Sequence, residues 1–240
     1  MQFAPLYPVL HRVLKPLFPQ CLWTGDAQRR VVALTFDDGP HPKYTPALLD
    51  VLARHNVVAS FFWLGACVER SPAVAQALYQ QGHWIGLHGY THRAFPRLSP
   101  PDLKASLEKT QRAIAHACQW DLELVQRQVR DVRPPLGVFT PATLRYLHQW
   151  HYRPVMWSVV PEDWVEPGVH RSVDRVLRQA QPGSLIVLHD GPFGGTDVAA
   201  TADQVITKLK AEGYEWVTVE DLWESRLLES QKCQEKPSKA

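Results

Sequence analysis

A chain of 240 residues, 45% hydrophobic and 21% charged, holds enough apolar material for one sizeable core and falls within the size of a single α/β barrel. Its 26 basic and 24 acidic residues leave a formal charge of +2, so no strong overall field directs it toward nucleic acid or an acidic surface. The four cysteines, Cys21, Cys67, Cys118 and Cys233, form no C-x-x-C pair, which excludes a zinc knuckle and a dense disulfide framework while leaving one disulfide possible.

Residues 1–27 carry Pro5, Pro8, Pro16 and Pro19, and His11, Arg12 and Lys15 interrupt their apolar residues. The segment lacks both the continuous apolar core of a signal peptide and the ~20 residues of a membrane helix. It reads as a short amphipathic arm packed on the domain, with a membrane-surface anchor as the alternative, and the expected location is cytoplasmic or peripheral, with no integral membrane span. Residues 28–229 then read as one domain and the polar residues 230–240 as a flexible tail. No repeat, low-complexity tract or Gly/Ser linker divides the chain.

Short apolar runs predict strands at 31–36, 57–64, 84–88, 128–133, 154–159, 185–189 and 214–219. Amphipathic stretches at 45–54, 71–81, 101–118, 141–150, 172–179 and 199–212 predict helices between them, several opened by Ser, Thr or Pro. Strand followed by helix, repeated, predicts an α/β fold: a distorted (β/α) barrel of about seven parallel strands. The C-terminal ends of these runs carry Asp37 and Asp38, His88, Arg133 and His189, which such a barrel would gather on one rim.

Thr35-Phe36-Asp37-Asp38-Gly39-Pro40 stops an apolar strand on two adjacent carboxylates; alone, it could equally be a turn with two solvated aspartates. His88 and His92 stand four apart, so a helical turn lets both imidazoles meet one metal ion, and Asp38 as a third ligand would leave a coordination position open. Arg133, stiffened by Pro134 and Pro135, could fix Asp37 or make a surface ion pair. His189 could act as a general acid or cap the rim, with Asp163 to orient it and Trp164 to wall the pocket.

Together these segments resemble the polysaccharide deacetylase family, the NodB homology or carbohydrate esterase family 4 group. T-F-D-D-G-P at 35–40, H-G-Y-T-H at 88–92, R-P-P-L-G at 133–137, W-S-V-V-P-E-D-W at 157–164 and I-V-L-H-D at 186–190 occur in the family's order. The resemblance implies a NodB-like barrel in which Asp37 is the catalytic base and Asp38, His88 and His92 hold a divalent metal, usually zinc. It further implies that Arg133 positions Asp37, that His189 is the general acid tethered by Asp163, and that the main-chain N–H of Leu136 helps stabilise an oxyanion.

Two departures stand out. Leu136 replaces the Tyr often found there, and Val160 replaces an acid that many relatives carry. Residues 119–130 also form a longer approach to the arginine loop than in compact relatives. The reading that follows is a metal-dependent hydrolase removing acetyl groups from N-acetylated sugars of a poly- or oligosaccharide. The alternatives are an O-acetyl sugar esterase and a non-catalytic carbohydrate-binding protein. Sugar identity and oligomeric state are not legible.

Overall fold

Strand β1 (Val31–Asp37) sets the plan of the molecule through the two-residue period of extended chain. Val32, Leu34 and Phe36 face a large outer core shared with the helices, whereas Val31 and Ala33 face a smaller inner cluster with Leu22, Phe62, Val155, Leu185, Val219 and Leu222. Thr35 and Asp37 continue the inner series, so this face grades from apolar to polar along the strand.

The computed structural model describes residues 7–234, with side chains for 9–226. After α1 (Tyr7–Leu17) and β1 come α2 (Thr45–His55), β2 (Ser60–Trp63), α3 (Gly65–Arg70), α4 (Pro72–Gln80) and β3 (Trp84–Leu87). Next are α5 (Pro100–Cys118), α6 (Leu122–Gln128), β4 (Asp131–Val132), α7 (Pro141–Gln149) and β5 (Arg153–Pro154). The chain closes with α8 (Val169–Gln179), β6 (Ser184–His189), α9 (Gly195–Ala211), β7 (Glu215–Val217) and α10 (Val219–Gln234).

All strand pairs are parallel, in the order β5-β4-β3-β2-β1-β6, with β7 beside the first half of β1. The sheet curls into a distorted half-barrel with helices packed outside. Residues 155–159 span from one edge to the other. Val155 N–H donates to Val132 O (2.9 Å), and Val187 N–H donates to Val159 O (3.1 Å). No helix among the described residues is long and apolar enough to cross a membrane.

The expected strand at 128–133 is corrected to the two residues of β4. Asp121 caps α6 by accepting the Leu124 N–H (3.0 Å), and the helix then runs to Gln128 with Val125 buried. The expected strand at 154–159 is likewise cut short, because its backbone divides its bonds among β4, Leu22 and β6. The helix expected at 71–81 is preceded by a separate helix, α3, and α8 begins three residues early. Helix α10 continues to Gln234, past the expected tail boundary at 230; residues 235–240 lie outside the described residues. Cys21, Cys67 and Cys118 are buried free thiols, and the Cys233 side chain lies outside the described ones.

One buried network ties the sheet edge together. Asp131 accepts from Arg153 Nε and Nη2 (2.9 Å each), Trp84 Nε1 (2.8 Å) and Trp223 Nε1 (2.9 Å). Burial pushes the Asp131 carboxyl above its ordinary value, and the Arg153 guanidinium opposes that shift.

Candidate active site

The inner-face parity of β1 carries Asp37 into the barrel mouth, and the same parity on β6 carries Val187 and His189 there. The register sets Asp37 opposite His189, so two chain segments 152 positions apart meet at one level of the sheet. Arg133 follows β4 and is wholly buried. Its Nη1 donates to Asp37 Oδ1 (2.7 Å) and Thr35 Oγ1 (2.8 Å), its Nη2 donates to Met156 O (2.8 Å), and its guanidinium lies 4.1 Å over the Phe62 ring. Burial draws Arg133 down from its ordinary value against the opposing charge of Asp37, yet a guanidinium starts high enough to stay charged. Asp37 is therefore held in one place by a fixed cation.

Asp38 leaves the strand in a left-handed conformation, φ 73°, which turns its side chain away from that of Asp37. Its Oδ1 lies 3.5 Å from His88 Nε2 and 3.5 Å from His92 Nε2, and the three ligand atoms fall within 4.8 Å of one another. That oxygen is buried without a hydrogen-bond partner among the described residues, an arrangement that leaves a desolvated acceptor unmatched. His88 Nδ1 sits 2.7 Å from Arg133 O and must donate to it, which leaves the Nε2 lone pair facing Asp38. Burial pulls the His88 imidazole below its ordinary value against the charges of Asp37 and Asp38, which favours the neutral ring. A carboxylate and two imidazoles arranged this way fit a divalent cation.

His189 is fixed twice by Asp163: its ring Nδ1 lies 2.8 Å from Oδ1 and its main-chain N–H donates to Oδ2 (2.7 Å). Burial works against the imidazolium, but Asp163 by charge and hydrogen bond, with Asp38 and Asp37 adding, pushes His189 up to about 9. Asp163 opens a 3-10 turn at Asp163–Val165 held between Glu162 (φ 56°) and Glu166 (φ 49°), two left-handed non-glycine residues. Such conformations cost about 1–3 kcal/mol each and persist where surrounding structure imposes them. The turn brings Trp164 edge-on to His189, with ring centroids 5.2 Å apart.

These groups share a cavity of about 470 Å³. Asp37, Asp38, His88, His92 and His189 line one side; Leu136, Trp157, Val160, Trp164, Val187 and Phe193 supply apolar walls. Arg133 and Asp163 stand behind Asp37 and His189. Every site residue expected from the sequence is thus brought to one rim. Leu136 sits there in a left-handed turn (φ 61°), 67% exposed. Val160 is buried in the wall, its N–H donating to Gln179 Oε1 (3.1 Å) and its carbonyl accepting from Gln179 Nε2 (3.2 Å). None of residues 119–130 lines the cavity.

Sequence reasoning gave no role to Thr35, Phe193 and Asp190, and of the rim aromatics Trp63, Tyr90, Trp157 and Trp164 it placed only Trp164 in the site, whereas Trp157 also lines the cavity. Strand period signals Thr35, two positions before Asp37, while Asp190 adjoins His189. Asp190 is wholly buried: its Oδ2 accepts from Thr45 Oγ1 (2.5 Å), and its Oδ1 has no partner among the described residues. Burial pushes this carboxyl up to about 7, with the Thr45 bond opposing and Asp38 and Asp37 reinforcing. Two glycines make room, one for this carboxylate and one for Asp38. A Cβ on Gly39 would stand 2.3 Å from the Asp190 carboxylate, and one on Gly191 would stand 2.5 Å from Asp38 Cβ.

A parallel barrel with paired acids, imidazoles and a buried arginine at its mouth defines a hydrolase-type rim. Residues 24–155 match the family model described as polysaccharide deacetylase, and the chain belongs to that family. A chitooligosaccharide deacetylase of Sinorhizobium fredii is 38% identical over 182 residues, covering 74% of this chain and 81% of the relative. A peptidoglycan-N-acetylglucosamine deacetylase of Bacillus cereus is 32% identical over 202 residues, covering 83% of this chain and 91% of the relative. Among solved structures, a carbohydrate esterase family 4 pseudoenzyme from Bacillus anthracis superimposes with a TM-score of 0.74 at 29% identity, covering 83% of this chain and 67% of that one. The fold therefore occurs without activity, and the side chains at the rim carry the functional argument.

Proposed function

We propose that this protein is a metal-dependent hydrolase that removes acetyl groups from N-acetylated sugars of an oligo- or polysaccharide. The observation that carries this reading is the buried, unmatched Asp38 Oδ1 facing two imidazole nitrogens, between the Asp37–Arg133 and His189–Asp163 pairs. Asp38, His88 and His92 would hold a divalent cation, zinc suiting this donor set, which supplies Lewis-acid polarisation of the acetyl carbonyl and a water of lowered pKa. Asp37, kept in position by Arg133, takes a proton from the attacking water. The main-chain N–H of Leu136 donates toward the developing oxyanion. His189 then protonates the departing nitrogen, Asp163 holds its ring in place, and Trp164 screens it from solvent.

An amine leaves far more readily once protonated, whereas an ester's alkoxide depends less on an acid. Against its burial, the charge and hydrogen bond of Asp163 push His189 up to about 9 before any cation binds, which favours a ring able to protonate nitrogen and so the amide over the O-acetyl ester. Residues 28–229 would constitute the catalytic unit and residues 1–27 an appended arm. The test is acetate release from N-acetylglucosamine oligomers and peptidoglycan fragments by chelated protein, with and without restored metal. Acetate from these substrates only after metal return is the expected result. Acetate from acetylated xylan alone would make the protein an esterase, and sugar binding without acetate from any substrate would make it a binding protein.

A further inference from the structure

One wholly buried carboxyl group at the rim takes no part in the proposed chemistry. Asp190 stands one residue past His189 and is not among the groups that line the cavity. Its Oδ1 has no hydrogen-bond partner among the described residues, and a buried carboxyl in that state is costly to hold.

Asp190 is attached to the chain on both sides of Asp38. Its main-chain N–H donates to Asp37 O (3.1 Å), the carbonyl of the peptide that joins Asp37 to Asp38. Its carboxylate fills the space that a Cβ on Gly39 would take, 2.3 Å from Oδ2 and 2.4 Å from Oδ1. Its Oδ2 accepts from Thr45 Oγ1 (2.5 Å), and that hydroxyl accepts in turn from His41 N–H (2.8 Å), while Thr45 N–H donates to His41 O (3.2 Å). Thr45 is wholly buried at the start of α2, so this clasp on His41 is anchored to a helix and, through Asp190, to the end of β6. Asp38 lies between these fixed points in a left-handed conformation (φ 73°) that a non-glycine residue keeps only where its surroundings impose it.

We propose that Asp190, acting through Thr45 and the 37–41 turn, is a positioning residue that holds Asp38 in the conformation aiming its Oδ1 at His88 and His92. The inference rests on the proposed role of Asp38 as a metal ligand, and it gives a residue outside the ligand set a share of the metal affinity. Without the brace the turn relaxes toward ordinary backbone conformations and carries the carboxylate away from the two imidazole nitrogens, each now 3.5 Å distant.

The test is competition for zinc between a fluorescent chelator and the full-length protein, well below the melting temperature of each variant. Thr45→Val cuts the link between Asp190 and His41 with little change of shape, and should weaken zinc affinity by about 10–100-fold, as loss of an outer partner does. Thr45→Ser keeps the hydroxyl and should bind as wild type does. Asp190→Ala should lose at least as much as Thr45→Val, and Asp190→Asn, which retains an acceptor, should recover most of that loss. Asp190→Ala/Thr45→Val should bind no more weakly than Asp190→Ala, because both changes break one link. Visible absorption of the cobalt-loaded protein gives a second readout, expected to change in Thr45→Val and not in Thr45→Ser. Should Asp190→Ala fail to fold, the two Thr45 variants carry the test alone. Lowered melting temperatures with wild-type zinc affinity and cobalt spectra would make Asp190 a structural residue only, overturning the inference and leaving the proposed function in place. A wild-type protein that binds no zinc would overturn both.

Discussion

Asp37 and Asp38 are adjacent in sequence and face different partners, so their substitutions should separate chemistry from metal binding. Asp37→Asn keeps a side chain beside Arg133 but loses the base, and should lower kcat for acetate release by about 10²–10⁴-fold with metal affinity near wild type. Asp38→Ala removes a ligand, and should weaken metal binding by more than the roughly 10–100-fold that loss of an outer partner costs. Titration against a fluorescent chelator measures both, and equal affinities would erase the division. His189 makes the second case. Asp163 raises its pKa, so in the proposed mechanism activity falls as pH rises and His189 loses its proton. Without metal that loss centres at about 9; a cation beside Asp38 offsets part of the carboxylate field and draws it lower. Asp163→Asn removes the main raising partner, and the alkaline limb of kcat/KM should move to still lower pH. A limb that stays in place would deny His189 the acid role.

Short β4 and β5 depend on side-chain ties more than on ladder bonds, and Asp131 is where those ties meet. Asp131→Ala would leave the Arg153 guanidinium and two indole N–H groups without their acceptor, and should cost about 3–5 kcal/mol in urea unfolding. Asp131→Asn, which retains an acceptor, should lose less. These elements are also where sequence reading fell short. Val129 and Val132 suggest a strand from 128, but the helix that Asp121 caps runs through Gln128 and leaves only Asp131 and Val132 to the sheet. Residues 155–159 are extended and apolar, as a strand should be, yet they change partners midway, and no local pattern reveals a change of partner. By contrast β1, β3 and β6 end where their apolar runs meet Asp or His, because burial and chemistry change at the same residue there.

At the scale of the whole molecule, a ligand that binds only the folded barrel must raise its melting temperature. Metal at a hundred times its Kd contributes about 2.7 kcal/mol, which for a chain of this size corresponds to roughly 5–10 °C. Chelation should lower the melting temperature by that amount in wild type and leave Asp38→Ala unmoved; a wild-type protein insensitive to chelator would remove the metal from the proposal. The gathering of the rim from distant segments was legible, since parallel strands leave their C-terminal ends together. The buried Asp190 and the wall from Phe193 were not, because their importance comes from neighbours remote in sequence. The inward parity of β1 and β6 also bears on how such a chain can change over generations. Loops can lengthen or shorten freely, but loss of one residue within β1 before Asp37, with the rest of the strand in register, would swing the base out among the leucines of the helical layer. Length variation among active relatives should therefore fall between the strands, and a deletion inside one should mark a lineage that has given up turnover.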